Sequence, residues 1–156
     1  MRGIEYWCVE MVMMTHMPAA SFAMSITPES TPRRPIRSFL DLIVWQRAMQ
    51  LFTECDRLSE RLILNRRFSM GDQMGRAALS IPSNIAEGHG GLSKAVNVRH
   101  LAIARGSLFE LKTVLLAAQS VAALSPAELE KAFSFADEVG RMLTSLIRKL
   151  GKRTLE

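Results

Sequence analysis

Four runs of apolar residues at alternating steps of three and four constrain this chain more than any other feature. Val44, Ala48, Leu51, Cys55, Leu58 and Leu62 make the first run. Steps of three and four return to one face of a 3.6-residue helix, so the run is one continuous helical seam. A second run begins near Ser69, with Asp72 three residues on as a cap signal. It places Met70, Met74, Ala78, Ile81 and Ile85 on one side and ends in Gly88, Gly90 and Gly91. The third, from Ser93 to about Val121, repeats Leu101, Ala104, Leu108, Leu111, Leu115 and Ala118. The fourth opens with Ser125-Pro126-Ala127-Glu128, a capping box with proline at the first helical position. It continues through Leu129, Ala132, Ala136, Val139, Leu143, Leu146 and Leu150 to a stop at Gly151. Ser38 followed by Asp41 supplies the N-cap signature of the first helix. No period-two strand pattern competes. Four helices of about 20 to 25 residues joined by short loops predict an all-α fold, an antiparallel up-and-down four-helix bundle spanning residues 38–151.

With 156 residues, 48% of them hydrophobic, the chain can bury a core without metal or disulfide staples. Cys8 and Cys55 do not make a disulfide framework, and Cys55 falls in a helical seam, as a free thiol of the reducing cytoplasm would. No apolar stretch reaches the ~18 residues of a membrane span, so a cytoplasmic protein without a membrane role is expected. Residues 1–37 differ from the rest, with Pro18, Pro28, Pro32 and Pro35 among them. Met1-Arg2 and Ala19-Ala20-Ser21 imitate a signal peptide, but Glu5 and Glu10 interrupt its apolar centre. Met11, Met13, Met14, Met17 and Met24 offer alternative starts of translation, so this segment is expected to be a disordered arm or mis-assigned coding sequence. Residues 152–156 are expected to form a basic tail.

Two helices carry more apolar surface than a monomer needs. The third has a second stripe, Ile103, Ser107, Glu110, Val114, Ala117 and Val121, and the fourth widens its own with Phe133, Gly140 and Ile147. Such a surplus fits a subunit interface or one broad core face. The second helix carries a polar row: Gln73, Ser80, Asn84 and Glu87 follow one another at steps of seven, four and three residues. Buried, these groups need partners, which Arg76, Ser107 and Glu110 can supply. Pro82 lies within the same helix, where it removes the bond to the carbonyl of Ala78, and a kink is expected. The row fits a ligand site or a hydrogen-bonded network that fixes helix register. No nucleophile and base pair accompanies it, which points away from an enzyme.

Charge narrows the partner class. The net charge is +5, and fifteen of the twenty basic residues are arginine. The guanidinium fork binds phosphate bidentately and favours RNA or DNA, although a GC-rich genome raises arginine without any binding role. At 6% aromatic residues, composition argues against a single-strand stacking platform. A ferritin-like metal site needs paired Glu-x-x-His motifs, whereas this chain has Glu87-Gly88-His89 and a separate His100, so no metal is expected. Gly88-His89-Gly90-Gly91-Leu92-Ser93-Lys94 lacks both the Gly-Lys-Ser/Thr ending and the preceding strand of a phosphate loop. No cofactor is expected either.

Three strings are familiar together. Leu42-Ile43-Val44-Trp45, the run from Arg76 to Gly88 and the run from Ala104 to Leu111 resemble the four-helix bundle family also called 23S rRNA intervening sequence proteins, or S23-like proteins. The likeness covers about Phe39 to Leu150. It implies a small bacterial helical bundle, typically a homopentamer, often encoded within insertions in ribosomal RNA genes. Related accessory proteins of diversity-generating retroelements are basic pentamers that bind nucleic acid and a reverse transcriptase. The resemblance carries over Gln73, Arg76, Ser80, Asn84, Glu87, Ser107 and Glu110 as motif positions of open role. The chain departs from the pattern at Asn65-Arg66-Arg67-Phe68-Ser69, where the family usually has Phe-Pro and an acidic residue.

The expectation is a non-enzymatic homo-oligomer, most simply a pentamer, that binds RNA or DNA through basic ends. Arg66 and Arg67 mark one end, and Arg148, Lys149, Lys152 and Arg153 the other. Basic residues in a last helical turn also complement the helix dipole. The alternative is a protein-interaction scaffold without nucleic-acid binding.

Overall fold

The computed structural model describes residues 36–152, with side chains through Gly151. The expected arm up to Pro35 and the tail residues from Arg153 lie outside the described residues, as do the side chains of Lys152 and Arg153 among the candidate binding groups. After a 3₁₀ turn at Phe39–Asp41 come α1 (Ile43–Leu64), α2 (Phe68–Gly90), α3 (Lys94–Ser120) and α4 (Pro126–Lys152). Each helix packs against its two neighbours around the bundle, α1 closing onto α4, and diagonal pairs stay apart. The protein is an antiparallel four-helix bundle, built from the seams visible in the sequence.

Several helix ends differ from expectation. Ser38 and Asp41 do form a capping box, but it caps the 3₁₀ turn; α1 itself starts after Leu42 without a side-chain cap. Phe39 meets Trp45 edge to face at 5.2 Å across this junction, tying the turn to the first turn of α1. Likewise α2 starts at Phe68 after Arg67, so Ser69 lies inside the helix and does not cap it. Ser93, the expected start of the third segment, caps α3, and Ser125 exchanges bonds with Glu128 at the start of α4. Gly151 fails to stop α4, which continues to Lys152: glycine permits a stop but does not impose one, and none of the described glycines takes a positive φ.

Two of the stops use no glycine at all. At the end of α1, Arg66 donates to Ile63 and Arg67 donates to Leu62 at 2.9 and 2.8 Å, the paired bonds of a Schellman motif, with Arg66 at φ 60°. Ala122, at φ 52°, plays the same part after α3, where Ala122 and Ala123 donate to Gln119 and Ala118. Loops of three, three and five residues follow from these sharp ends and force antiparallel neighbours.

The core is the set of seams. Leu51, Leu58 and Leu62 from α1, Met74, Ile81 and Ile85 from α2, Leu108, Leu111 and Leu115 from α3, and Leu129, Val139 and Leu143 from α4 are fully buried. Truncating one such leucine to alanine costs about 2–5 kcal/mol, lost burial plus the cavity left behind. Phe133 and Ile147 pack against this core, so most of the surplus on α4 belongs to one broad core face. Pro82 is itself buried and α2 runs through it to Gly90. Just past the proline, two side chains bond back to carbonyls of the preceding turn: Ser83 Oγ donates to Leu79 and Asn84 Nδ2 to Ser80, both at 2.9 Å.

Candidate functional site

The polar row of α2 faces α3, and the two helices meet there in layers. Arg76 donates to Gln73 at 2.5 Å, and Gln73 in turn donates to Glu110 of α3. One layer on, the Ser80 and Ser107 hydroxyls pair at 2.8 Å, Ser107 also donating to Ile103 of its own helix. Next, Asn84 Nδ2 reaches Ser80 Oγ at 3.2 Å while its Oδ1 lies 3.2 Å from Nδ1 of His100. Glu87 Oε2 stands 3.3 Å from the same nitrogen. Both oxygens are acceptors, so Nδ1 carries the proton in this arrangement. The structure thus brings Gln73, Arg76, Ser80, Asn84, Glu87, Ser107 and Glu110 into one seam, and adds His100.

This seam joins helices more than it frames a cavity. Gly88 lets α2 approach closely, since a Cβ there would stand 3.0 Å from His100 Cβ and 3.2 Å from the Asn97 carbonyl. Among the described residues no group of three or more His, Cys, Asp or Glu side chains is placed to hold a metal ion. Cys55 is buried, and burial together with the nearby Glu54 charge pushes its thiol up to about 12, out of nucleophilic range.

The basic candidates occupy two ends. Arg66 and Arg67 sit in the α1–α2 loop between exposed Leu64 and Phe68, the former 82% exposed. Arg148 and Lys149 lie in the last described turns of α4, at the opposite end, as the antiparallel order requires. Along the α1–α4 seam charges are matched: Arg47 pairs with Glu138, Lys131 with Glu54 and Arg61 with Glu128, at 3.1, 3.1 and 3.0 Å. Burial raises the Glu54 carboxyl, but hydrogen bonds and charge from Arg57 and Lys131 outweigh it and hold the group below its ordinary value. No ion pair forms at Arg66, Arg67, Arg148 or Lys149 among the described residues.

Sequence reasoning missed an open groove of about 420 Å³ between α3 and α4. Arg105, Phe109 and Lys112 line it from α3, and Asp137, Arg141 and Arg148 from α4. Its signal was present: Arg105 and Lys112 are seven residues apart, as are Arg141 and Arg148, so each pair shares a helix face.

The layered α2–α3 seam sits on the two strings that carried the family likeness, and the family model of the 23S rRNA-intervening sequence protein matches residues 40–145. The chain belongs to this family. The match spans all of the bundle except its two extremities, so the fold and the membership rest on the same segment. A solved member of the S23 ribosomal protein family from Bacteroides thetaiotaomicron, itself a protein with unknown function, is similar over 67% of this chain and 98% of its own. Its TM-score of 0.65 at 23% identity supports a shared bundle fold. No curated protein matches the chain. No helix among the described residues is long and apolar enough to cross a membrane.

Proposed function

We propose that this 23S rRNA-intervening sequence family member is a non-enzymatic, cytoplasmic homo-oligomer, most simply a pentamer, that binds RNA or DNA through basic surfaces. One observation carries the nucleic-acid reading: ion pairs and caps occupy most carboxylates of the described bundle, while Arg66, Arg67, Arg148 and Lys149 form none. Unpaired guanidiniums favour phosphate, and repetition around a ring multiplies the contacts. The non-enzymatic reading is supported by the candidate polar groups already being spent on one another across the α2–α3 seam. Assembly is supported by Ile103 on α3, at 43% exposure, and by Val121 just beyond its end, two apolar side chains left exposed by the bundle. Exposed Leu64 and Phe68 around the arginine loop favour the second reading, a protein-interaction scaffold.

The test is titration of labelled RNA and DNA across about 50–200 mM salt, where each phosphate contact contributes about 0.7–0.9 to the log–log slope. Arg66→Glu with Arg67→Glu weakens binding without changing the oligomer, since both residues lie outside every seam. Equal binding by the double variant removes the loop from the interface and brings the scaffold reading forward.

A further inference from the structure

We propose that the α3–α4 groove seats a short stretch of single-stranded nucleic acid, with Arg105, Arg141 and Arg148 on its phosphates and Phe109 stacked on a base. The inference rests on the nucleic-acid reading above and adds where the strand lies and which form is bound.

Charge is the first support. Lys112 holds Asp137 at 2.5 Å, which neutralises the one carboxylate in the groove wall. The three arginines form no ion pair or hydrogen bond among the described residues. Like charges gathered without counterions attract an anion that runs along all of them. Hydrogen bonding and charge from Lys112 hold the Asp137 carboxyl below its ordinary value, with Arg141 adding to the same positive field.

Register supplies the second. Lys112 meets Asp137, and a Cβ on Gly140 would stand 3.2 Å from Leu108, so the antiparallel helices bring Arg105 level with Thr144. Arg105 therefore stands across the groove from a point between Arg141 and Arg148, themselves about 10.5 Å apart along α4 at 1.5 Å per residue. Three guanidiniums on alternating walls suit a flexible phosphodiester chain threading between them.

Phe109 selects the form. It is 61% exposed beside these arginines. A duplex hides the faces of its bases, whereas a single strand offers them for stacking. The groove is open to solvent and holds about 420 Å³, room for a nucleotide with the chain passing out at both ends. Composition argued against a stacking platform, but a percentage does not locate one ring. An acidic peptide would answer the arginines and leave the ring uncovered.

The test uses the full chain and labelled oligo(dT) and oligo(U) of about 12 nucleotides, a duplex of the same length, and polyglutamate as competitor. Arg105→Ala with Arg141→Ala lowers the log–log salt slope for single strands by about 1.4, two contacts at about 0.7 each. Phe109→Leu weakens single-strand binding about tenfold, leaves the slope unchanged and spares duplex binding. These side chains lie outside the buried core, and circular dichroism and mass by light scattering confirm that the variants remain folded and assembled. If both groove variants bind like the parent while the Arg66→Glu, Arg67→Glu chain does not, the groove is wrong and the general reading stands. If the parent binds neither strand nor duplex, both fall. Displacement of the strand by polyglutamate at equal residue concentration, with Phe109→Leu silent, overturns the proposal in favour of an acidic protein segment.

Discussion

Ser59 on α1 donates a 2.7 Å hydrogen bond to the backbone carbonyl of Gly71 on α2. The contact depends on the missing side chain: a Cβ on Gly71 would lie 2.9 Å from the Ser59 carbonyl oxygen and 2.8 Å from Ile63 Cγ1. One turn along α2, a Cβ on Gly75 would meet Ser59 Oγ at an ordinary 3.7 Å. Gly71→Ala should therefore destabilise the fold by about 1–3 kcal/mol, because backbone has to move. Gly75→Ala should stabilise it by roughly 0.5–1 kcal/mol through helix propensity. Urea unfolding midpoints at unchanged slope distinguish the two; equal effects would mean that α1 and α2 are not so closely packed.

Arg66 stands at a left-handed position that glycine occupies at no steric cost. Arg66→Gly should raise stability by up to about 1 kcal/mol while weakening nucleic-acid binding. A change in which both quantities rise or fall together would show that the arginine is not held there for binding.

In a Cys8→Ser background, Cys55 should resist a thiol reagent at pH 8 until the protein unfolds. With its thiol pushed up to about 12, the thiolate fraction is about one in ten thousand, and the side chain is buried besides. Reaction of the native protein at the rate of a free thiol would contradict this packing.

Acid should weaken the bundle in a definite direction. Glu54, Glu128 and Asp137 all have carboxyls lowered in the folded state from 4.5, 4.5 and 3.8. The unfolded chain binds protons more readily, so their contribution is complete above about pH 5 and disappears as pH falls through the lowered values. Chemical denaturation between pH 7 and pH 3 follows the loss, and Glu54→Gln should shallow the decline without reversing it. Rising stability on acidification would refute the assigned pairings.

Ile103→Glu should disperse the assembly while preserving helicity, since the residue is exposed on α3 and outside the core. Light scattering reads the outcome against the 17.4 kDa chain. An unchanged oligomer moves the interface away from this flank.

The seams from Val44 to Leu62 and from Leu101 to Ala118 were legible because burial imposes a helical period on side chains, and every one of those residues is buried. The stop after Leu64 was not, since Arg66 does glycine's work and leaves no glycine to read, whereas the end of α3 was read to within a residue although Ala122 stands where a glycine is usual. The α2 row was visible as polarity on one helix, yet His100 was passed over because its partners Asn84 and Glu87 lie across a loop. The groove escaped for the same reason: Arg105 and Arg141 become neighbours only when α3 and α4 fold back on each other.

The α1–α4 seam acts as a key. Arg47, Glu54 and Arg61 follow one another at seven-residue steps with alternating sign, and Glu138, Lys131 and Glu128 answer them in reverse order. Sliding α4 by one heptad would set Arg47 against Lys131 or Glu54 against Glu138, turning attraction into repulsion while leaving the apolar contacts nearly equivalent. Leucines alone tolerate such a slip. The first and last helices are thereby told not only to meet but at which rung, and a chain that closes its ring of helices out of step is turned away by its own charges.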